Sequence, residues 1–316
     1  MDEPLVSILM PVKNTGRFTH AAIESILKQT YRHFDLLILD SSDDKITTEI
    51  IKRFTDSRIK YYYHPEMNLP AILNFGISVA EGEFIARMDA DDISMPERLS
   101  VEVDYLLSHP ETDIVGTQFY YIDEYNKILF RKNLPVSHDE IEFMMPIITS
   151  IHHPTILTRK DNFYKAGLYN EERIYSEDTE FYLRMLKIGM KFHNIDSPLY
   201  LYRILPKSYE LFEKQNKIKY QDCLEYINSF YKEDCFYYNI RRGLLEYYIG
   251  DISLARRYLF RSINFDFPKS LHYFRYMLAS LFGNNFLIFF RKHGISKFYN
   301  LLSIKFFHHD TYKVKS

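Results

Sequence analysis

The chain predicts an α/β fold, a mostly parallel sheet with helices on both faces, followed by a C-terminal helical extension. Three observations carry that expectation. Strand-like apolar runs alternate with helix-like stretches through the first hundred residues. Polar residues collect at the carboxyl end of each run, and after about residue 209 the pattern changes to Tyr- and Phe-rich helical spacing.

The first unit is the apolar run Leu5 to Val12, a loop Lys13-Asn14-Thr15-Gly16, and a helix with Ala22, Ile23, Ile26 and Leu27 on one face. The second is Asp35 to Asp40, a polar turn Ser41 to Asp44, and a helix over Thr47 to Phe54. Ile59 to Tyr63 opens the third, which passes through Pro65 and Asn68 into a helix carrying Ile72, Leu73, Ile77 and Ala80. Glu83 to Asp89 reads as the fourth strand. In such sheets ligands bind outside the carboxyl ends of the strands, which is where Lys13-Asn14, Asp40-Ser41, Asn68 and the Asp89 to Asp92 cluster fall.

The fourth strand spills three carboxylates into four positions. In an extended segment Asp89 and Asp91 share a face, a pairing that suits a divalent cation with oxygen ligands. The competing reading is an acidic turn in which Asp92 or Ser94 caps a helix restarting at Pro96. Beyond it, Asp113 to Tyr121 reads as a strand, and His152-His153-Pro154 offers two imidazoles without a third ligand at metal spacing, which favours packing or hydrogen-bonding roles for both.

With 316 residues and 46% hydrophobic content the chain can bury a large core, which excludes a disordered protein and, at roughly 100–200 residues per domain, suggests one large domain plus an appendage. From Arg261 onward nine Lys or Arg face two acids, so a tail of net +7 follows a body of net −9. Two cysteines, Cys223 and Cys235, are too few for a disulfide framework and point to a reducing compartment. The acidic start Met1-Asp2-Glu3-Pro4 is unlike a secretory signal, and the densest apolar run, Phe286 to Phe290, is far short of a membrane span. A cytoplasmic protein is expected, with peripheral contact on the inner face of a membrane as a further option.

The ordered set Val6 to Asn14, Ile23 to Tyr31, Phe34 to Asp40 and Ala80 to Asp92 resembles the family 2 glycosyltransferases. The resemblance runs over residues 5 to about 204 and implies a GT-A, Rossmann-like fold. It also implies inverting transfer from a nucleotide diphosphate sugar, a UDP-sugar first among them, with Mn²⁺ or Mg²⁺ on the diphosphate. By that match Asp89 falls on the first acid of the DXD motif, at the ribose, and Asp91 on the acid that holds the metal. The implied donor contacts are Pro11, Lys13, Asn14, Asp40, Ser41, Asn74, Arg87, Asp89 and Asp91, with Asp91 and Asp89 as metal ligands. Three positions depart from the pattern: Lys13 replaces a frequent aromatic, Ser41 replaces a second acid, and no His follows the closing strand Leu199 to Arg203.

Glu177-Asp178 before a Leu- and Arg-bearing helix resembles the acceptor-site motif of the same family. By that match Asp178 is the general base and Glu177 lies at the acceptor. An attacking hydroxyl must lose its proton as the new bond forms, and a carboxylate within reach helps. The rival reading is an acid favoured by the helix dipole. The implied domains are 1–208, with a donor half of about 1–110 and an acceptor half of 111–208, and a helical, basic region of 209–316.

In that second region Tyr220, Cys223, Leu224, Ile227 and Tyr231 follow helical spacing, and Gly250 to Leu259 resembles one tetratricopeptide-like hairpin. Aromatics interleave with Arg291, Lys292, Lys297 and Lys305, which suits a solvated helix face or a polyanion. Of the polyanions, anionic membrane lipid across 286–316 is expected and nucleic acid is not, since transferases of this kind often act on a lipid-linked or glycan acceptor. Two other functions compete. A sugar nucleotidyltransferase would need a Gly-rich basic loop after the first strand, and Lys13 to Arg17 is a poor version; a noncatalytic binding module would fit the three departures but not the joint presence of Asp89, Asp91 and Asp178.

Overall fold

The computed structural model describes residues 3–205, 208–232 and 235–263. The expected basic tail beyond 263, including 286–316, lies outside the described residues. The described chain divides into two compact units, one of residues up to 145 and 149–219, the other of 146–148 and 220 onward.

In the first unit, the continuous apolar runs become strands covered on both faces, β1 (Val6–Val12) and β2 (Phe34–Asp40). All seven residues of β2 are buried, and in β1 only Pro11 is partly exposed. β1 runs parallel to β2, Val6 opposite Phe34 through Val12 opposite Asp40. It is also parallel to β4 (Phe84–Arg87), while β3 (Ile59–Tyr63) lies parallel outside β2. The crossovers are α1 (Phe18–Leu27), α2 (Lys45–Ile51) and α3 (Leu69–Val79). A short β5 (Ile93–Ser94) and α4 (Arg98–Ser108) follow.

Antiparallel pairing enters with β8 (Leu157–Arg159), which joins β4 to β6 (Ile114–Ile122). β6 carries the hairpin strand β7 (Ile128–Lys132) and runs parallel to the long β9 (Phe192–Arg203), which pairs with β5. Among the described residues the sheet order is β3-β2-β1-β4-β8-β6-β9-β5, with β7 on β6. Helices α5 (His138–Met144), α6 (Lys160–Ala166) and α7 (Glu177–Lys187) belong to this part of the unit.

Several boundaries differ from the sequence pattern, each for a local reason. The fourth strand ends at Arg87 instead of Asp89, because the Asp92 N–H turns back to the Asp89 carbonyl (3.4 Å) and folds Ala90-Asp91 into a turn. Asp91 therefore reaches the site through a turn and not through strand alternation. α4 begins at Arg98, because Pro96 and Glu97 form a turn whose Pro96 carbonyl accepts from the Thr30 N–H (2.8 Å). Neither Asp92 nor Ser94 caps it. α2 starts earlier than expected, at Lys45, capped by the Asp44 carboxylate on the Thr47 N–H (2.6 Å), and unwinds after Ile51. Asn68 is a cap as well, accepting from the Ala71 N–H (3.0 Å) ahead of Pro70.

One close approach locks the start of β4 against β1. The Gly82 N–H donates to Ser7 Oγ (2.9 Å), and a Cβ at Gly82 would lie 2.5 Å from the Ser7 nitrogen and 2.8 Å from the Leu5 carbonyl. Both are backbone atoms, which cannot swing aside. Gly82→Ala is therefore expected to lower the unfolding free energy by about 3 kcal/mol, the upper end of overpacking costs, read as a shift of the urea midpoint.

In the second unit α9 (Phe236–Ile249) and α10 (Ile252–Ile263) form the expected helical hairpin. Gly250 closes α9 in the left-handed region (φ +96°). The missing Cβ of Gly243 admits Leu259, which would otherwise meet it at 2.7 Å. α8 (Ser208–Phe230) spans the boundary between the units in sequence and buries Cys223, Tyr226 and Ile227. Cys223 and Cys235 are free thiols, as their number suggested. No helix among the described residues is long and apolar enough to cross a membrane.

Candidate active site

The sequence-predicted residues gather at the carboxyl ends of β1, β2 and β4. Past β1, Lys13 is exposed and Asn14 takes a left-handed conformation (φ +54°) that Asn tolerates better than most residues. Its backbone N–H donates to Ser42 Oγ (2.9 Å) and its side-chain amide to Asp43 Oδ1 (2.6 Å), while its Oδ1 accepts from the N–H groups of Asp43 (3.1 Å) and Asp44 (3.2 Å). Asn14 thus stitches the loop after β1 to the loop after β2. Asp40 lies beneath them, fully buried, accepting from the Ser42 N–H (2.9 Å), the Tyr61 hydroxyl (2.8 Å) and Thr48 Oγ1 (3.4 Å). Ser41 is buried with its N–H on the Val12 carbonyl (2.9 Å), and Pro11 stands opposite Leu39. These contacts join the two loops, with Asp40 as an internal brace.

At the end of β4 the oxygens of Asp89, Asp91 and Asp92 lie within 4.8 Å of one another. Each carboxylate has a different environment. Asp89 forms an ion pair with the buried Arg87 guanidinium, and its N–H donates to the Tyr200 hydroxyl (3.1 Å). Asp92 is buried, its Oδ1 accepting from the Arg203 N–H (2.6 Å), so it anchors the end of β9. The Arg203 guanidinium donates from Nε to the Asp91 carbonyl (2.6 Å) and from its other nitrogens to the Asp123 carbonyl and Asn126 Oδ1 (both 2.7 Å). Asp92 Oδ2 is buried without a hydrogen-bond partner, and Asp91, partly buried, is the third carboxylate. Burial and the nearby Asp89 charge push its acid up to about 6.

Arg87 links this cluster to a second one. Burial is the largest influence and opposes its charge, but Asp89 together with Tyr200 and Tyr169 holds the guanidinium above its usual value. The same guanidinium draws down the acids of Asp91 and Glu177 and the imidazoles of His152 and His153. All of these groups therefore lie within its electrostatic reach. Both imidazoles are buried and neutral, His152 brought down to about 3 by burial first and Arg87 second. His152 stacks on Phe119 with centroids 4.2 Å apart, and His153 Nε2 bonds the Tyr169 hydroxyl (2.7 Å). They do what the sequence favoured: they pack and hydrogen-bond.

α7 starts from Ser176, itself left-handed (φ +61°), a sparsely populated conformation of the kind found at functional sites. Glu177 follows, buried, with one oxygen 4.0 Å from His153 Nδ1. Asp178 is half-buried, its Oδ1 accepting from the Thr179 N–H (2.6 Å). Asn74 is brought to the loop after α6, where its amide bonds Tyr169 through both backbone groups (2.9 Å each) and the Glu171 carboxylate (3.0 Å).

Burial, then Asp178, raises the Glu177 acid to about 8. The folded chain holds that proton up to about pH 8, whereas an unfolded glutamate releases it near pH ~4.3. Across that window the folded state binds more protons, so stability falls as pH rises. Glu177→Gln removes the loss. Its urea midpoint is expected to exceed the wild type at pH 8 and to converge on it toward pH 5.

The oxygen-only donor set, three carboxyl groups including the partly buried Asp91, fits a hard divalent cation such as Mn²⁺ or Mg²⁺. The sequence profile described as "Glycosyl transferase family 2" matches residues 7–167, which include both strand-end loops and the acid cluster. The chain belongs to that family. Among curated relatives of this family 2 member, it is 30% identical over 231 residues to the O-antigen biosynthesis glycosyltransferase WbnJ of Escherichia coli, covering 70% of this chain and 87% of that one. Its fold resembles Staphylococcus aureus TarS 1-349 in complex with UDP (TM-score 0.56, 17% identity, 84% of this chain and 74% of that chain). The likeness covers 52% of a longer TarS chain. It also resembles the mannosyltransferase PcManGT of Pyrobaculum calidifontis in complex with GDP-Man and Mn²⁺ (TM-score 0.59, 12% identity, 96% and 84%). The fold is therefore GT-A, and the family activity is glycosyl transfer.

The sequence pattern missed the parts played by Arg203 and by Tyr169, the partner of His153. Arg203 could have been suspected from its place at the end of the closing strand. The imidazole–tyrosine pair is 16 residues apart with no periodicity to announce it.

Proposed function

We propose that this family 2 transferase is an inverting enzyme that moves a sugar from a nucleotide diphosphate sugar, first a UDP-sugar, to a hydroxyl of a glycan or lipid-linked acceptor in surface polysaccharide assembly. One observation carries the reading: Asp89 pairs with the Arg87 guanidinium, which also acts on Asp91 and on Glu177, the neighbour of Asp178. That nearness supports a donor-side and an acceptor-side carboxylate group serving one reaction. Support for the donor comes from TarS with UDP and PcManGT with GDP-Man and Mn²⁺, and for the context from the O-antigen role in WbnJ's name.

In this reading the loops carrying Lys13, Asn14 and Ser41 receive the nucleoside, and Asp89, steered by Arg87, meets the ribose. When held by Asp91 with Asp89, Mn²⁺ or Mg²⁺ supplies neutralisation of the charge developing on the departing diphosphate. Asp178 takes the acceptor proton as its oxygen attacks the anomeric carbon from the face opposite the leaving group. The buried, protonated Glu177 and neutral His153 give the acceptor a hydrogen-bonding floor. UDP-, GDP-, CDP- and dTDP-sugars, each tested with and without Mn²⁺, decide the donor by thermal shift. One nucleotide is expected to raise the melting temperature only with the metal. No shift with any of them at millimolar concentration, in folded protein, would overturn the reading.

A further inference from the structure

The buried side chains include one arginine that the proposed chemistry does not use. Arg98, the first residue of α4, has no solvent exposure. Its Nη1 donates to two backbone carbonyls, Arg87 (3.0 Å) and Pro154 (2.8 Å). These lie where β4 and the segment before β8 part: the ladder pairs Ala86 with Leu157, and the Arg87 N–H still donates to the Ile156 carbonyl (3.0 Å). Carbonyls buried at such a fork need a donor, and Arg98 supplies it to both prongs. One prong leads directly into Arg87, Asp89 and Asp91, while the other carries His152 and His153.

Two more contacts tie Arg98 to the acid cluster. Its guanidinium lies 5.4 Å from the centroid of the Tyr200 ring, and the hydroxyl of that ring accepts from the Asp89 N–H. Behind it, one turn along α4, Glu102 is equally buried and neither of its oxygens has a hydrogen-bond partner. A buried carboxyl with no hydrogen bond costs stability, and burial pushes the Glu102 acid up to about 8, with the Arg98 charge acting against that rise.

We propose that Arg98 is a positioning residue that holds the Arg87–Asp91 segment in the geometry that binds a divalent cation with the donor diphosphate. The inference rests on the transferase reading above. A purely structural arginine would serve the fold alone. A positioning one sets metal affinity even when the fold is repaired.

The test compares wild type, Arg98→Met, Arg98→Met with Glu102→Met, and Arg98→Lys. Two quantities are read: the thermal midpoint, and the Mn²⁺ dissociation constant from the free-ion signal in electron paramagnetic resonance with UDP or GDP present. Arg98→Met is expected to lower the midpoint by leaving the Arg87 and Pro154 carbonyls without their donor, and the double variant to recover part of that loss by replacing a buried carboxyl that has no hydrogen bond. Mn²⁺ affinity is expected to stay at least tenfold weak in the double variant. A double variant that binds Mn²⁺ within twofold of wild type overturns the proposal. Should the methionine variants not fold, Arg98→Lys keeps the positive charge but loses the planar guanidinium that reaches both carbonyls while lying over the Tyr200 ring. It is expected to bind Mn²⁺ at least threefold more weakly, and wild-type affinity would overturn the proposal. A wild type that takes up no Mn²⁺ with either nucleotide sinks the metal-dependent reading and this inference with it, an outcome separate from the others.

Discussion

Asp91→Asn is expected to lower turnover by about 10²–10³-fold and to erase the metal-dependent thermal shift, while the protein without ligand becomes more stable. The two effects have one cause. Asp91 sits beside Asp89 and Asp92 in a largely buried turn, where burial and like charge already push its acid up to about 6. The neutral amide keeps the shape and removes one of three crowded charges, so the folded state gains. What it loses is the carboxylate able to hold a divalent ion against the diphosphate, and with it the neutralisation of the leaving group. Steady-state kinetics with the identified donor and urea midpoints of both proteins check the pair of outcomes. Equal turnover would remove Asp91 from the chemistry. Lower stability would show that the cluster serves the fold.

The contrast with Asp92 makes the assignment specific. Three adjacent letters cannot reveal which acid faces a ligand, because Asp92 is spent on the Arg203 N–H of a strand 111 residues away. That partner follows from how β9 closes the sheet, and no local periodicity encodes it. The donor half was legible because its strands are continuous apolar runs that can only be covered on both faces, and parallel order follows from their alternation with helices. The arrival of β8 between β4 and β6 was not legible. It is a three-residue strand entered from a short 3₁₀ turn over His153–Thr155, too brief for any pattern to mark. Likewise Asn14, Asp44 and Asn68 were all visible as polar loop residues. Only the structure separates the stitch from the two caps.

Asp178→Asn is expected to reduce kcat by about 10²–10⁴-fold with little change in the Michaelis constant for the donor, because it removes a base and leaves the donor side intact. The geometry favours this carboxylate over its neighbour. Glu177 is buried and keeps its proton up to about pH 8, so at neutral pH it accepts none. Asp178 is half-buried, and the Thr179 N–H and hydroxyl both engage Oδ1, which fixes the group through one oxygen and presents the other. The variant amide keeps its Oδ1 acceptor for Thr179, so the helix start is preserved and basicity alone is lost. The rival account, a carboxylate placed only to complement the α7 dipole, makes a different forecast: a stability loss of about 0.3–1 kcal/mol and unchanged kcat. Measuring kcat, donor affinity and the urea midpoint on the same preparation separates them. A variant that loses stability but keeps its turnover would return Asp178 to the fold and leave the acceptor proton without a base.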